Sequence, residues 1–160
     1  MTKFLTKDLT LTALSEVEIE GCVFQRSIEG STVYRTESEL QYLSEKAHGI
    51  ITVPAGFLTD LASIPKVAQG IFMLHDDPVI LKPSVIHDFL YGNKGRINVT
   101  ADDLQMPVLL TRQECDSILC HEAMLDCGAL LSQVDLVYGA LRVFGDSWGI
   151  GYPLVERFVL

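Results

Sequence analysis

The chain has 160 residues, 48% of them hydrophobic, which is enough for one domain with a real core. Its formal net charge of −9 and pI near 4.7 exclude a general nucleic-acid binder, because phosphate contacts need Lys and Arg. No stretch approaches the roughly 18 consecutive apolar residues of a membrane span, and the start, Met1 to Asp8, has neither the apolar core nor the small-residue cleavage site of a signal peptide.

The first part of the chain, about residues 1–58, predicts strands. Asp8 to Leu14 alternates, as does Val17 to Glu20, and Val33 to Thr36 is rich in β-formers. Glu29-Gly30-Ser31 reads as a turn, and Ile50 to Val53 as a strand ended by Pro54 and Gly56. Between Glu37 and Lys46 neither strand nor helix periodicity wins. Leu58 to Pro65 reads as a loop crossing between two halves, and Pro78 and Pro83 keep any helix in residues 66–82 short.

The stretch from Pro83 to Gly92 predicts a short apolar helix, opened by Pro and stopped by Gly92-Asn93. Residues 93–107 read as a polar insertion with little pattern. Thr111 with Glu114 forms a capping box that opens a helix from about Arg112 to Cys127, closed by Gly128. Leu119, Cys120, Ala123, Met124 and Cys127 make its core stripe, and one turn back that stripe reaches Asp116. A third helix runs from Ser132 to Phe144 with Val134, Val137, Tyr138 and Leu141 on one face and Gly145 as its stop. The tail from Asp146 is aromatic and glycine-rich.

This order predicts a single α+β domain over residues 1–160, with an N-terminal antiparallel sheet, about three helices over residues 66–145, and a tail. The four cysteines form no Cys-x-x-Cys pair, and three fall in one predicted helix, so they read as reduced buried thiols rather than a zinc site.

Candidate chemistry gathers on the central helix. His87 and Tyr91 lie four apart on one side, and Asp88 points about 100° away. Polar groups on so apolar a helix are costly unless paired or used. Asp116, core-facing on the next helix, is either an i, i+4 partner of Arg112 or the acceptor that orients His87 and Tyr91. That division assigns His87, Asp116 and Tyr91 to proton chemistry, and Asp88 with Asp60 to a divalent cation or a substrate. The alternative for Asp88 is a local pair with Lys94 or Arg96. His48, His75 and His121 read as turn or surface residues.

The sequence resembles the domain-of-unknown-function 1353 family. The resemblance rests on Val-Pro-Ala-Gly-Phe-Leu-Thr-Asp-Leu-Ala-Ser-Ile-Pro (Val53 to Pro65), Ile-His-Asp-Phe-Leu-Tyr (Ile86 to Tyr91) and, more loosely, Cys115 to Met124. It implies a phage-encoded protein acting in the host cytoplasm or the virion, with other phage proteins or a host factor as partners. A fainter likeness, of His-Asp-x-x-Tyr followed by a helical Asp, is to the core of secreted phospholipases A2. That likeness implies His87 as the base, Asp88 as a calcium ligand, and Asp116 with Tyr91 as support. Asp60-Leu61-Ala62-Ser63 stands where those enzymes have a glycine-rich calcium loop. Two functions follow as expectations: a small hydrolase, with or without a divalent cation, or a non-enzymatic virion, assembly or host-binding protein whose polar cluster is structural.

Overall fold

The computed structural model describes residues 1–14, 33–61 and 77–144. The expected strand at Val17–Glu20, the turn at Glu29–Ser31, residues 62–65 of the expected Leu58–Pro65 loop, His75, Gly145 and the tail lie outside these residues.

The architecture is α+β. Strands β1 (Lys3–Phe4), β4 (Leu40–Ser44), β5 (Gly49–Val53), β7 (Arg96–Ala101) and β8 (Leu104–Leu109) form an antiparallel sheet in the order β1-β4-β5-β7-β8. A smaller antiparallel sheet joins β2 (Leu11–Ala13), β3 (Tyr34–Thr36) and β6 (Leu58–Thr59). The undecided stretch after Glu37 is therefore strand β4. Its alternation settles the matter: Leu40, Tyr42 and Ser44 face inward, opposite Val53, Ile51 and Gly49 of β5. Pro107 lies in edge strand β8, where a missing N–H is tolerated and blunts pairing with another chain.

Helix α1 spans Pro78–Gly92, five residues longer at its start than the sequence pattern indicates. Asp77 caps it by accepting from the Val79 N–H at 3.0 Å, so Pro78 is the opening proline and Pro83 sits inside the helix. The left-handed stop is Lys94-Gly95, with φ 52° and 70°, rather than Gly92-Asn93. Only glycine fits at 95, because a Cβ there would lie 1.9 Å from the Leu110 carbonyl oxygen. That close approach passes the chain directly into the β7–β8 hairpin, in place of the expected patternless insertion. Its two-residue turn, Asp102-Asp103, has positive φ at both positions, which matches the twist of the flanking strands.

Helix α2 (Arg112–Ser117) opens with the expected capping box: Thr111 Oγ1 accepts from the Glu114 N–H at 3.2 Å, and the Glu114 carboxylate accepts from the Thr111 N–H at 2.7 Å. It continues as a π-helical segment, Ile118–Met124. Helix α3 spans Leu131–Phe144. One core lies between the large sheet and α1, where Tyr42, Ile51, Val53, Ile86, Phe89 and Leu90 meet. A second lies between the π-segment and α3, with Leu119, Cys120, Met124, Val134, Val137 and Leu141. Among the described residues no helix is long and apolar enough to cross a membrane.

Candidate functional site

Where the two cores meet, α1, α2 and α3 each contribute a polar side chain to one buried cluster. His87 and Tyr91, one turn apart on α1, stack with ring centroids 3.9 Å apart. Asp116 of α2 is fully buried, and His87 is 1% exposed. The Asp116 carboxylate is saturated. Oδ1 meets His87 Nε2 at 3.0 Å and accepts from the Tyr91 hydroxyl, and Oδ2 accepts from Arg142 Nη1 at 2.8 Å. Arg112 does not pair with Asp116. It donates from Nε to the Tyr91 oxygen at 3.3 Å and from Nη2 to the Leu141 carbonyl at 2.7 Å, tying α2 to α1 and α3.

The charge states follow. Burial works against an ionised Asp116, but hydrogen bonds from His87, Tyr91 and Arg142 outweigh it and hold the carboxyl below its ordinary range. An ionised carboxylate only accepts, so the hydrogen on His87 belongs on Nε2. Burial also lowers the His87 pKa, against the opposing pull of Asp116, which favours a neutral imidazole. Nδ1 then carries a bare lone pair. It is the only buried side-chain nitrogen or oxygen among the described residues without a hydrogen-bond partner. Burial and the neighbouring Asp116 push the Tyr91 hydroxyl up, so it stays a donor.

One residue further along α1 the environment reverses. Asp88 accepts from the Thr59 hydroxyl and from the Leu61 backbone, and Leu61 N–H also reaches Thr59 Oγ1 at 3.1 Å. Leu61 holds φ 56°, a left-handed conformation uncommon for a branched residue, where the chain leaves β6. Burial and the charge of Asp60 raise the Asp88 carboxyl well above its ordinary value. The charge of Asp60 therefore acts on Asp88, and no ion pair joins Asp88 to Lys94 or Arg96 among the described residues. Among the described residues no three His, Cys, Asp or Glu side chains converge as metal ligands.

A further buried carboxylate had no sequence signal. Glu122, on the π-segment, accepts from Ser44 Oγ at 2.6 Å and from the Lys46 N–H at 3.0 Å, closing the β4–β5 turn. Tyr42 donates to Asp126 at 2.7 Å beside it. These contacts fix the π-segment against the large sheet, and through it the helix that carries Asp116. Arg142 and Thr59 were also missed, since an Arg late in a helix reads as an ordinary surface residue, and Leu58-Thr59 reads as loop where the structure has strand β6.

The other sequence candidates stand apart from the cluster. His48 is exposed in the β4–β5 turn with φ 55°. His121 is exposed, 3.1 Å from Ser117 Oγ. Cys115, Cys120 and Cys127 are free, and burial pushes the Cys115 thiol up to about 12.

Fold and site together define an α+β protein in which three helices converge on a buried His-Asp-Tyr-Arg network. Residues 34–141 match the model of a family described as "Protein of unknown function (DUF1353)", and the chain belongs to that family. No curated protein and no solved structure matches the chain.

Proposed function

We infer that the chain is a hydrolase in which His87 is the general base. One observation carries the reading: Nε2 of a buried imidazole is held by an ionised Asp116, while Nδ1 has no hydrogen-bond partner among the described residues. A buried nitrogen in that state needs a ligand, and a water meets the need. Nδ1 takes a proton from this water as its oxygen bonds to the substrate's electrophilic centre, the Asp116 carboxylate stabilises the resulting imidazolium, and the imidazolium returns the proton to the leaving group as the bond to it breaks. Tyr91 and Arg142 act on Asp116 by orienting it, and Asp88 with Thr59 fixes the next turn of α1.

Purified protein would be assayed against p-nitrophenyl esters of short and long acyl chains and against p-nitrophenyl phosphomono- and phosphodiesters. The reading expects turnover of one class, rising with pH through a value below the ordinary histidine range. His87→Asn should lower it by roughly 10²- to 10⁴-fold. No turnover, or turnover indifferent to His87→Asn, contradicts it.

The near-complete burial of His87 and Asp116 favours a second reading. In it the network is an internal brace in a non-enzymatic phage protein, a virion or assembly component or a host-factor binder. Mass spectrometry of purified particles separates the two. Fixed stoichiometry in the particle, with normal infectivity of His87→Asn phage, supports the brace and removes the base.

A further inference from the structure

The outer side of α3 carries a pattern that the other described residues leave uncovered. Val134, Val137, Ala140 and Leu141 are buried, while Ser132, Asp135, Leu136, Gly139, Arg142 and Val143 are all exposed. Val143 is 69% and Leu136 37% exposed. Ser132, Leu136, Gly139 and Val143 follow the four-three-four spacing of a helix-pairing seam. Gly139 is the anomaly within it. Glycine is a poor helix former, and a Cβ at this position would meet nothing within 4 Å, so no neighbour among the described residues requires its absence.

The flanking charges complete the pattern. Asp135 precedes Leu136 and Arg142 precedes Val143, so one heptad position carries opposite signs in successive heptads. Two copies of α3 laid antiparallel, with a two-fold axis near residues 137–138, place each Leu136 over the partner's Gly139. The same operation sets Ser132 against the partner's Val143 and brings Asp135 opposite the partner's Arg142, twice. A parallel pairing would instead set Gly139 on the partner's Gly139 and leave the hole unfilled.

We propose that α3 is a self-association surface whose partner is a second copy of this chain, paired antiparallel through Leu136, Gly139 and Val143. The face is isologous, as a two-fold dimer demands. Arg142 spends Nη1 on Asp116 at 2.8 Å and keeps further N–H donors for the partner's Asp135. Dimerisation thereby touches the outermost member of the buried network. Six residues per copy fall short of the roughly 800 Å² per partner of a standard interface, so the dimer forms reversibly and with concentration. The pairing requires nothing of the hydrolytic reading and stands or falls apart from it.

Sedimentation velocity on the full chain, from about 1 μM to about 1 mM, tests it. The expected result is a mass rising from 17.7 kDa toward twice that value. Gly139→Leu fills the hole that receives Leu136 and should weaken association by tenfold or more, with the melting temperature unchanged or raised because a better helix former replaces glycine. Asp135→Arg sets like charges opposite each other and should weaken association as well, which keeps the test intact if the glycine variant folds poorly. A chain monomeric at every concentration, or a dimer indifferent to both substitutions, overturns the proposal.

Discussion

His87 and Asp88 are consecutive on one helix and equally cut off from water, yet the carboxylates they meet and are obey opposite rules. Asp116, the partner of His87, collects donors from an imidazole, a phenol and a guanidinium, and its charge survives burial. Asp88 has a hydroxyl, a backbone N–H and another carboxylate beside it, so burial drives it toward its neutral form. Depth alone therefore decides neither charge state. The count of donors around each carboxylate does.

The largest break in this contrast should come from Asp116→Ala. It leaves the His87 N–H and the Tyr91 hydroxyl without their acceptor and strips the Arg142 contact from the core. A loss of about 3–5 kcal/mol is expected in urea or thermal unfolding, in the range for a broken buried pair. Thr59→Val is a smaller blow, removing one donor from Asp88 for roughly 1–3 kcal/mol. The deficit should widen as pH rises, because the ionised form of Asp88 depends more on that hydroxyl.

The pH dependence of folding separates the two sites by sign. The folded His87 resists protonation, while the unfolded chain takes a proton below about 6.5. Its contribution is therefore present above that value and is lost as pH falls toward the lowered folded value. Asp88 works the other way. Its raised carboxyl contributes fully below about 3.9, and that contribution is lost as pH rises through the folded value. Denaturation of His87→Asn between pH 4 and 9 should show a flattened acid limb. Asp88→Asn should flatten the alkaline limb and be more stable than the parent at high pH. The smallest expected effect is that of calcium, magnesium, manganese or zinc, none of which should move the melting temperature. A rise that Asp88→Asn abolishes would instead show a cation at Asp60 and Asp88.

Much of the first cluster was legible because helical periodicity is rigid. A four-residue spacing put His87 and Tyr91 together, and extending one core stripe led to Asp116. The missing members came from places where periodicity says nothing. Arg142 reaches Asp116 from another helix, and by occupying Oδ2 it frees Arg112 to bond Tyr91 and Leu141 instead. Thr59 approaches Asp88 from β6, a two-residue strand too short to register an alternation. The β7–β8 hairpin was hidden because Asp102-Asp103 adopts the backbone of an Asn-Gly turn without its signature. Pro83 obscured the start of α1, since a proline inside a helix looks the same in sequence as one at its first turn. The π-segment leaves no local mark, as its geometry follows from packing on both sides.

The central claim is that His87 is a neutral imidazole with its hydrogen on Nε2, facing Asp116, and a free lone pair on Nδ1. Long-range proton–nitrogen correlation spectra of protein with ¹⁵N-labelled histidine, recorded from pH 4 to pH 8 and assigned with His87→Asn, read this directly. The account predicts a protonated-type shift for Nε2 and a bare-type shift for Nδ1 at neutral pH, with titration displaced to the acid side of an ordinary histidine. A hydrogen on Nδ1, or a doubly protonated ring at pH 7, would contradict it.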